Sequence, residues 1–366
     1  MSTAAARERV LAGSRSVGGP VIDVDVHEML TSVGELAPYL KEPWRSRVSM
    51  PDGWQGLPGF PYSYPQVGGL VRADAVLPGG APAGSSYERM REQVLDAYPI
   101  EHAILTGLFH PTDLGVQPEF ATALASAYND WLIDHWLAKD DRRLGSIAVA
   151  AQCPEEAARE MDRVGGHPQV VQVMLPATSR DVLGRAFYAP LYEAAVRNEL
   201  VVGFHQTNET ETAAGMPPYY IEWHTAIPQV WQSQLIGLVF NGMFDRFPDL
   251  RVAMIEGGWT WLPSLLWRLD LNYRSLRREV PWVKRMPSEY VKESVGFSSQ
   301  PMEYPDDPRD LYRMFELVGT DRFLMFSTDY PHWDFDAPDR AIPPVFPREM
   351  RRRILYDNAA DFYRLR

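Results

Sequence analysis

The feature that most constrains the fold is a recurrence of eight short apolar runs, each followed by a longer helical or loop segment. The runs are VIDVDVH from Val21, HAILTGL from His102, LGSIAVAA from Leu144, VVQVMLP from Val170, LVVGFHQ from Leu200, RVAMIEGG from Arg251, ESVGFSSQ from Glu293 and FLMFSTDYP from Phe323. Strand-like runs alternating with helices build a parallel sheet with crossover connections, and eight such units predict an α/β fold, the (β/α)8 TIM barrel. In FATALASAYNDWLIDHWLAK, Leu124, Tyr128, Trp131 and His135 fall on one helix face at 3.6-residue spacing. Further helices are expected after Pro154, Ala186, Gln229 and Trp259, with a closing helix from Met350. The pattern predicts a flexible start over 1–20 and one barrel domain over 21–366. A long Pro-, Gly- and aromatic-rich insertion over 30–86, from Leu30 to Ser86, follows the first strand. It far exceeds an ordinary βα connection and would overhang the carboxyl end of the barrel, where active sites are built, so it reads as a lid or substrate-binding region.

Composition narrows the function classes. A formal charge of -12 argues against a nucleic-acid partner, because such binding rests on Lys and Arg meeting phosphates. Cys153 is the sole cysteine, so any metal must be held by His and carboxylates, and a reducing compartment is expected. The first twenty residues lack the apolar run of a signal peptide, and no stretch approaches the roughly 18 apolar residues of a membrane helix. These readings predict a cytoplasmic protein without a membrane partner.

The chemistry concentrates at strand ends. In Asp23-Val24-Asp25-Val26-His27, a period of two points Asp23, Asp25 and His27 to one side of a strand. Burying two carboxylates and an imidazole together is costly unless a cation neutralises them, so the run reads as metal ligands; a hydrogen-bonded strand cap is the structural alternative. His205 ends the fifth run after Gly203, Glu256 ends the sixth before Gly257-Gly258, and Asp329 ends the eighth. Alone, each could be a core histidine or a helix cap. Together they form an oxygen-rich set suited to one or two divalent ions, Fe, Zn or Mn.

With these residues in view, the chain resembles the amidohydrolase superfamily, in the branch that contains aminocarboxymuconate semialdehyde decarboxylase. The resemblance runs from Val21 to Leu365 and is carried by IDVDVHE, GMFDRFPDLRVAMIEGGWTWLPSLLWRLD, STDYPH and ILYDNAADFYRL. It implies a (β/α)8 barrel with metal ligands on strands one, five and eight, at Asp25, His27, His205 and Asp329. Asp25 stands where many relatives have the first histidine of an HxH pair, and Glu256 where the decarboxylases have a histidine. Strand four has no lysine to bridge two ions, a role Glu256 could take. The carboxylate-heavy set is also similar to that of a non-haem diiron acyl-CoA thioesterase of antibiotic biosynthesis.

The expectation is a hydrolase in which the metal activates water and polarises a thioester, amide or ester carbonyl of a small-molecule substrate, with Asp329 as base. His224 and His332 are second candidates for orienting or protonating the leaving group, although either could cap a helix or fill a loop. Arg45, Arg47 and Arg72 in the insertion could meet an anionic group or serve as surface charge. The alternatives are a metal-dependent non-oxidative decarboxylase of a small carboxylic acid, and a non-catalytic barrel that binds a ligand. The apolar, aromatic insertion suggests a homodimer.

Overall fold

The computed structural model describes residues 17–51, 71–107, 109, 116–179, 181–206, 212 and 214–365. The expected flexible start lies outside them except for 17–20, as does 52–70 of the insertion. All eight apolar runs form strands: β1 (Val21–Val26), β2 (Ile100–Leu105), β3 (Arg143–Ala148), β4 (Val170–Pro176), β5 (Val201–His205), β6 (Val252–Met254), β7 (Val295–Ser298) and β8 (Leu324–Met325). They pair in parallel in chain order, as strands linked by helical crossovers do in this architecture. Backbone bonds from β1 to the segment after β8 close the barrel: Val24 N donates to Phe326 O at 3.0 Å, His27 N to Tyr330 O at 2.8 Å, and Asp329 N to Asp25 O at 3.1 Å.

Helices flank the sheet at Pro118–His135, Pro154–Val164, Ala189–Arg197, Pro228–Phe240, Leu262–Leu276, Pro287–Ser294 and Pro308–Val318. Each begins at or beside a proline, which suits the first turn because it lacks an N–H that would have no partner there. On the first of these helices Leu124, Tyr128 and Trp131 face the barrel, whereas His135, at the helix end, is exposed. The chain ends in helical turns over Arg348–Phe362, and Ala359, Ala360 and Tyr363 pack against Ile22, Val24, Met174, Ala253 and Met325 inside the barrel. No helix among the described residues is long and apolar enough to cross a membrane.

The alternation along β1 is not strict. Its pairing with β2 shifts register between Asp23 and Val26, a bulge that adds one residue. Ile22 and Val24 point inward, while Val21 and Val26 join the shell beneath the helices. The bulge resets the phase, so Asp23 does not share a face with Asp25 and His27 as a period of two predicts.

The insertion after β1 opens with helical turns at Val33–Tyr39 and Trp44–Val48. It returns beside the barrel mouth, where Val71 bridges His332 and Arg72 N donates to Pro331 O at 2.8 Å. Its arginines are engaged within the protein: Arg45 donates to Leu40 O, Arg47 to Gln117, and Arg72 pairs with Asp74 at 2.7 Å.

Candidate active site and metal centre

Five strand-end side chains converge at the carboxyl end of the barrel. Asp25 comes from β1 and His27 from just past it, His205 from the last position of β5, Glu256 from just past β6, and Asp329 from the turn after β8. All but Glu256 are fully buried, and Glu256 is nearly so. Gly203, two residues before His205, leaves room for the buried Gln172 side chain of β4, because a Cβ there would lie 2.8 Å from Gln172 Cδ. Glu256 and Asp329 both adopt left-handed backbone, at φ 62° and 57°. Such geometry is unusual for residues with a side chain and is held where surrounding structure imposes it, often at functional sites.

Distances define two overlapping groups of possible ligands: Asp25, His27 and His205; and His27, Asp329 and His332. Within each, one donor atom per residue lies within 4.8 Å of the others. His27 Nε2 is 2.7 Å from Asp329 Oδ1 and 3.7 Å from Asp25 Oδ1. His205 Nε2 is 3.0 Å from Glu256 Oε2 and 3.8 Å from Asp25 Oδ2. His332 Nδ1 meets Asp329 Oδ1 at 2.7 Å. Asp25 Oδ2 and Asp329 Oδ2 are buried with no hydrogen-bond donor among the described residues. Carboxylate oxygens left unsatisfied among imidazole nitrogens suit a cation, so the donor set fits a divalent metal.

The electrostatics match that reading. Burial opposes charge on His27, but the Asp25 carboxylate and the bond to Asp329 outweigh it and push its pKa up to about 10. Burial likewise opposes charge on His205 and His332, and nearby carboxylates, Asp25 and Glu256 for the first and Asp329 for the second, raise both above the usual imidazole range. Asp25 is raised by burial despite His27 and His205. Burial would raise Asp329 too, yet His332 and His27 hold it well below the usual carboxylate range.

Asp23 and His224 are engaged outside these two groups. Asp23 Oδ1 accepts from Thr328 N at 2.9 Å and Oδ2 from Thr328 Oγ1 at 2.6 Å, so this carboxylate clasps β1 to the turn after β8. His224 lies within the helix Tyr220–Ala226 and stacks on Tyr220, ring centres 5.5 Å apart. Sequence reasoning missed the polar residues that brace the cluster. Thr106 Oγ1 bonds Asp25 Oδ1, Gln206 Nε2 donates to Glu256 Oε1 at 3.1 Å, and Ser298 Oγ accepts from Glu256 N at 2.8 Å. All three stand at strand ends, the signal by which they could have been found.

A parallel eight-stranded barrel with buried imidazoles and carboxylates at the carboxyl ends of its strands defines an enzyme barrel with a donor set suited to a divalent cation. The amidohydrolase family model matches residues 22–365, and the chain belongs to that family. It is similar to gamma-resorcylate decarboxylase of Polaromonas sp. (strain JS666 / ATCC BAA-500), 24% identical over 297 residues that cover 75% of this chain and 86% of the relative. It is also similar to 2-amino-3-carboxymuconate-6-semialdehyde decarboxylase of Dictyostelium discoideum, 23% identical over 256 residues, 67% of this chain and 68% of the relative. The crystal structure of a dihydroxybenzoic acid decarboxylase from Polaromonas sp. JS666, with bound manganese and the inhibitor 2-nitroresorcinol, shares the fold. Its TM-score is 0.65 at 20% identity, with 95% of this chain and 97% of that one covered.

Proposed function

We propose that this protein is a metal-dependent, non-oxidative decarboxylase of a small carboxylic acid. Hydrolysis of a thioester, amide or ester, the first expectation from the sequence, becomes the second reading. The observation that carries the choice is the similarity to named decarboxylases across two thirds or more of the chain. The site is compatible with it, because a possible cation triad of Asp25, His27 and His205 adjoins the Asp329–His332 pair.

Asp25, His27, His205 and Asp329 would hold the ion, with manganese the first to test given its presence in the Polaromonas enzyme. When bound, the divalent cation supplies positive charge that draws the substrate's oxygens and offsets negative charge developing in the reaction. The carbon–carboxylate bond breaks, carbon dioxide leaves, and the electron pair left on carbon takes up one proton. The Asp329–His332 pair holds that proton, with His332 raised above the usual imidazole range by Asp329 despite its burial. Val71, on the returning end of the insertion, bridges His332, so this end would lie beside the substrate.

Glu256 favours the second reading, because a carboxylate 3.0 Å from His205 Nε2 suits a base that activates water. Carbon dioxide release from 2,6-dihydroxybenzoate and related acids, measured with manganese-loaded protein, tests the choice. The expected result is one carbon dioxide per product, with turnover about 100-fold lower in His332→Ala, the usual scale of a lost proton donor. Hydrolysis of thioester or amide substrates, with oxygen-18 from water in the acid product and no carbon dioxide, would overturn it.

A further inference from the structure

Thr106 is fully buried immediately after β2. Its backbone carbonyl lies 2.7 Å from His27 Nδ1, and its hydroxyl bonds Asp25 Oδ1. Its N–H donates to Val26 O at 2.8 Å, which pins the residue to β1 between the two side chains it touches.

We propose that Thr106 is a positioning residue for the cation site, presenting His27 through Nε2 and Asp25 through Oδ2. A carbonyl can only accept, so its partner Nδ1 carries the proton of a neutral His27 and the lone pair lies on Nε2, facing Asp25 and Asp329. The hydroxyl has one proton. It also lies 3.3 Å from His27 Nδ1 and 3.4 Å from Val26 O, but Nδ1 is already a donor and the second contact is long. The carboxylate is the stronger acceptor and takes the proton. That occupies Oδ1 and leaves Asp25 Oδ2, which has no hydrogen-bond donor among the described residues, directed toward His205 Nε2 at 3.8 Å.

The inference rests on the cation-site reading, and its test separates the two. Chelator-treated protein is titrated with manganese or zinc by calorimetry, for the wild type and for Thr106→Val and Thr106→Ser. Thr106→Val keeps shape and carbonyl but loses the hydroxyl, and its metal affinity should fall about 10–100-fold, the usual scale for a residue that orients a ligand. Its metal-free thermal midpoint should change little, and Thr106→Ser should restore most of the affinity. Should Thr106→Val yield no folded protein, Thr106→Ala must show the same loss. Wild-type affinity in a variant without the hydroxyl, or an equal loss in Thr106→Ser, overturns the positioning role. A wild-type protein that binds neither metal overturns the cation site itself.

Discussion

His27 is the residue on which the charge balance of the site turns. It is fully buried, yet Asp25 and Asp329 push its pKa up to about 10, so at pH 7 it carries a proton in the metal-free protein. A cation needs the Nε2 lone pair and must displace that proton, so metal uptake at pH 7 is expected to release at least one proton. The sign follows: affinity weakens as pH falls, by about one log unit of association constant per pH unit for each proton released. Calorimetry in buffers of different ionisation enthalpy counts these protons, and uptake without release would mean that His27 is not a ligand. Asp25, His27, His205, Glu256 and Asp329 were all legible in the sequence, because a polar residue closing an apolar run is conspicuous. Asp23 was legible as buried polarity but not in its orientation, which depends on a bulge set by the neighbouring strand. Thr106 was legible only as a polar residue at a strand end, since half its role runs through a main-chain carbonyl that any residue possesses.

The site side chains lie at or just past the carboxyl ends of their strands, and the strands were readable because each is a short apolar run. Their extents were not: β8 is only Leu324–Met325, because Phe326 N turns away to donate to Ile354 O at 2.9 Å. The helix Tyr220–Ala226 escaped a pattern reading because few of its residues are buried. Beyond β6, the left-handed turn at Glu256 leads into Gly257, where β6 meets the helix Pro228–Phe240. A Cβ on Gly257 would lie 2.6 Å from Cγ of the fully buried Trp231, whose Nε1 donates to Phe204 O at 3.1 Å. That ring is wedged and tethered, so the added methyl must move strand or helix. Gly257→Ala is expected to destabilise the protein by about 1–3 kcal/mol, the usual scale of overpacking, read as a lower urea midpoint at constant slope. An unchanged midpoint would show that the ring yields freely and that the glycine serves only the turn.

Across the whole molecule, the site lies on the seam that closes the barrel. β1 and the turn after β8 are joined by Asp23 with Thr328, Val24 with Phe326, Asp25 with Asp329, and His27 with Tyr330, pairs some 300 residues apart in sequence. Strand count and order made closure predictable, but these seam bonds are mostly main-chain and leave no trace in residue type. A cation held by Asp25, His27, His205 and Asp329 would join β1, β5 and the last turn, so it would bind only the assembled barrel. By linkage, metal at 100 times its Kd should then stabilise the folded state by about 2.7 kcal/mol and raise Tm by several degrees. The increment should grow with the logarithm of metal concentration, as read by scanning calorimetry of chelator-treated protein. Asp25→Asn should shrink it, while Thr328→Val, which removes a hydroxyl from the Asp23 clasp but no ligand, should lower Tm with and without metal and leave the increment intact. Loss of the increment in Thr328→Val would mean that the clasp and the cation site are one coupled unit.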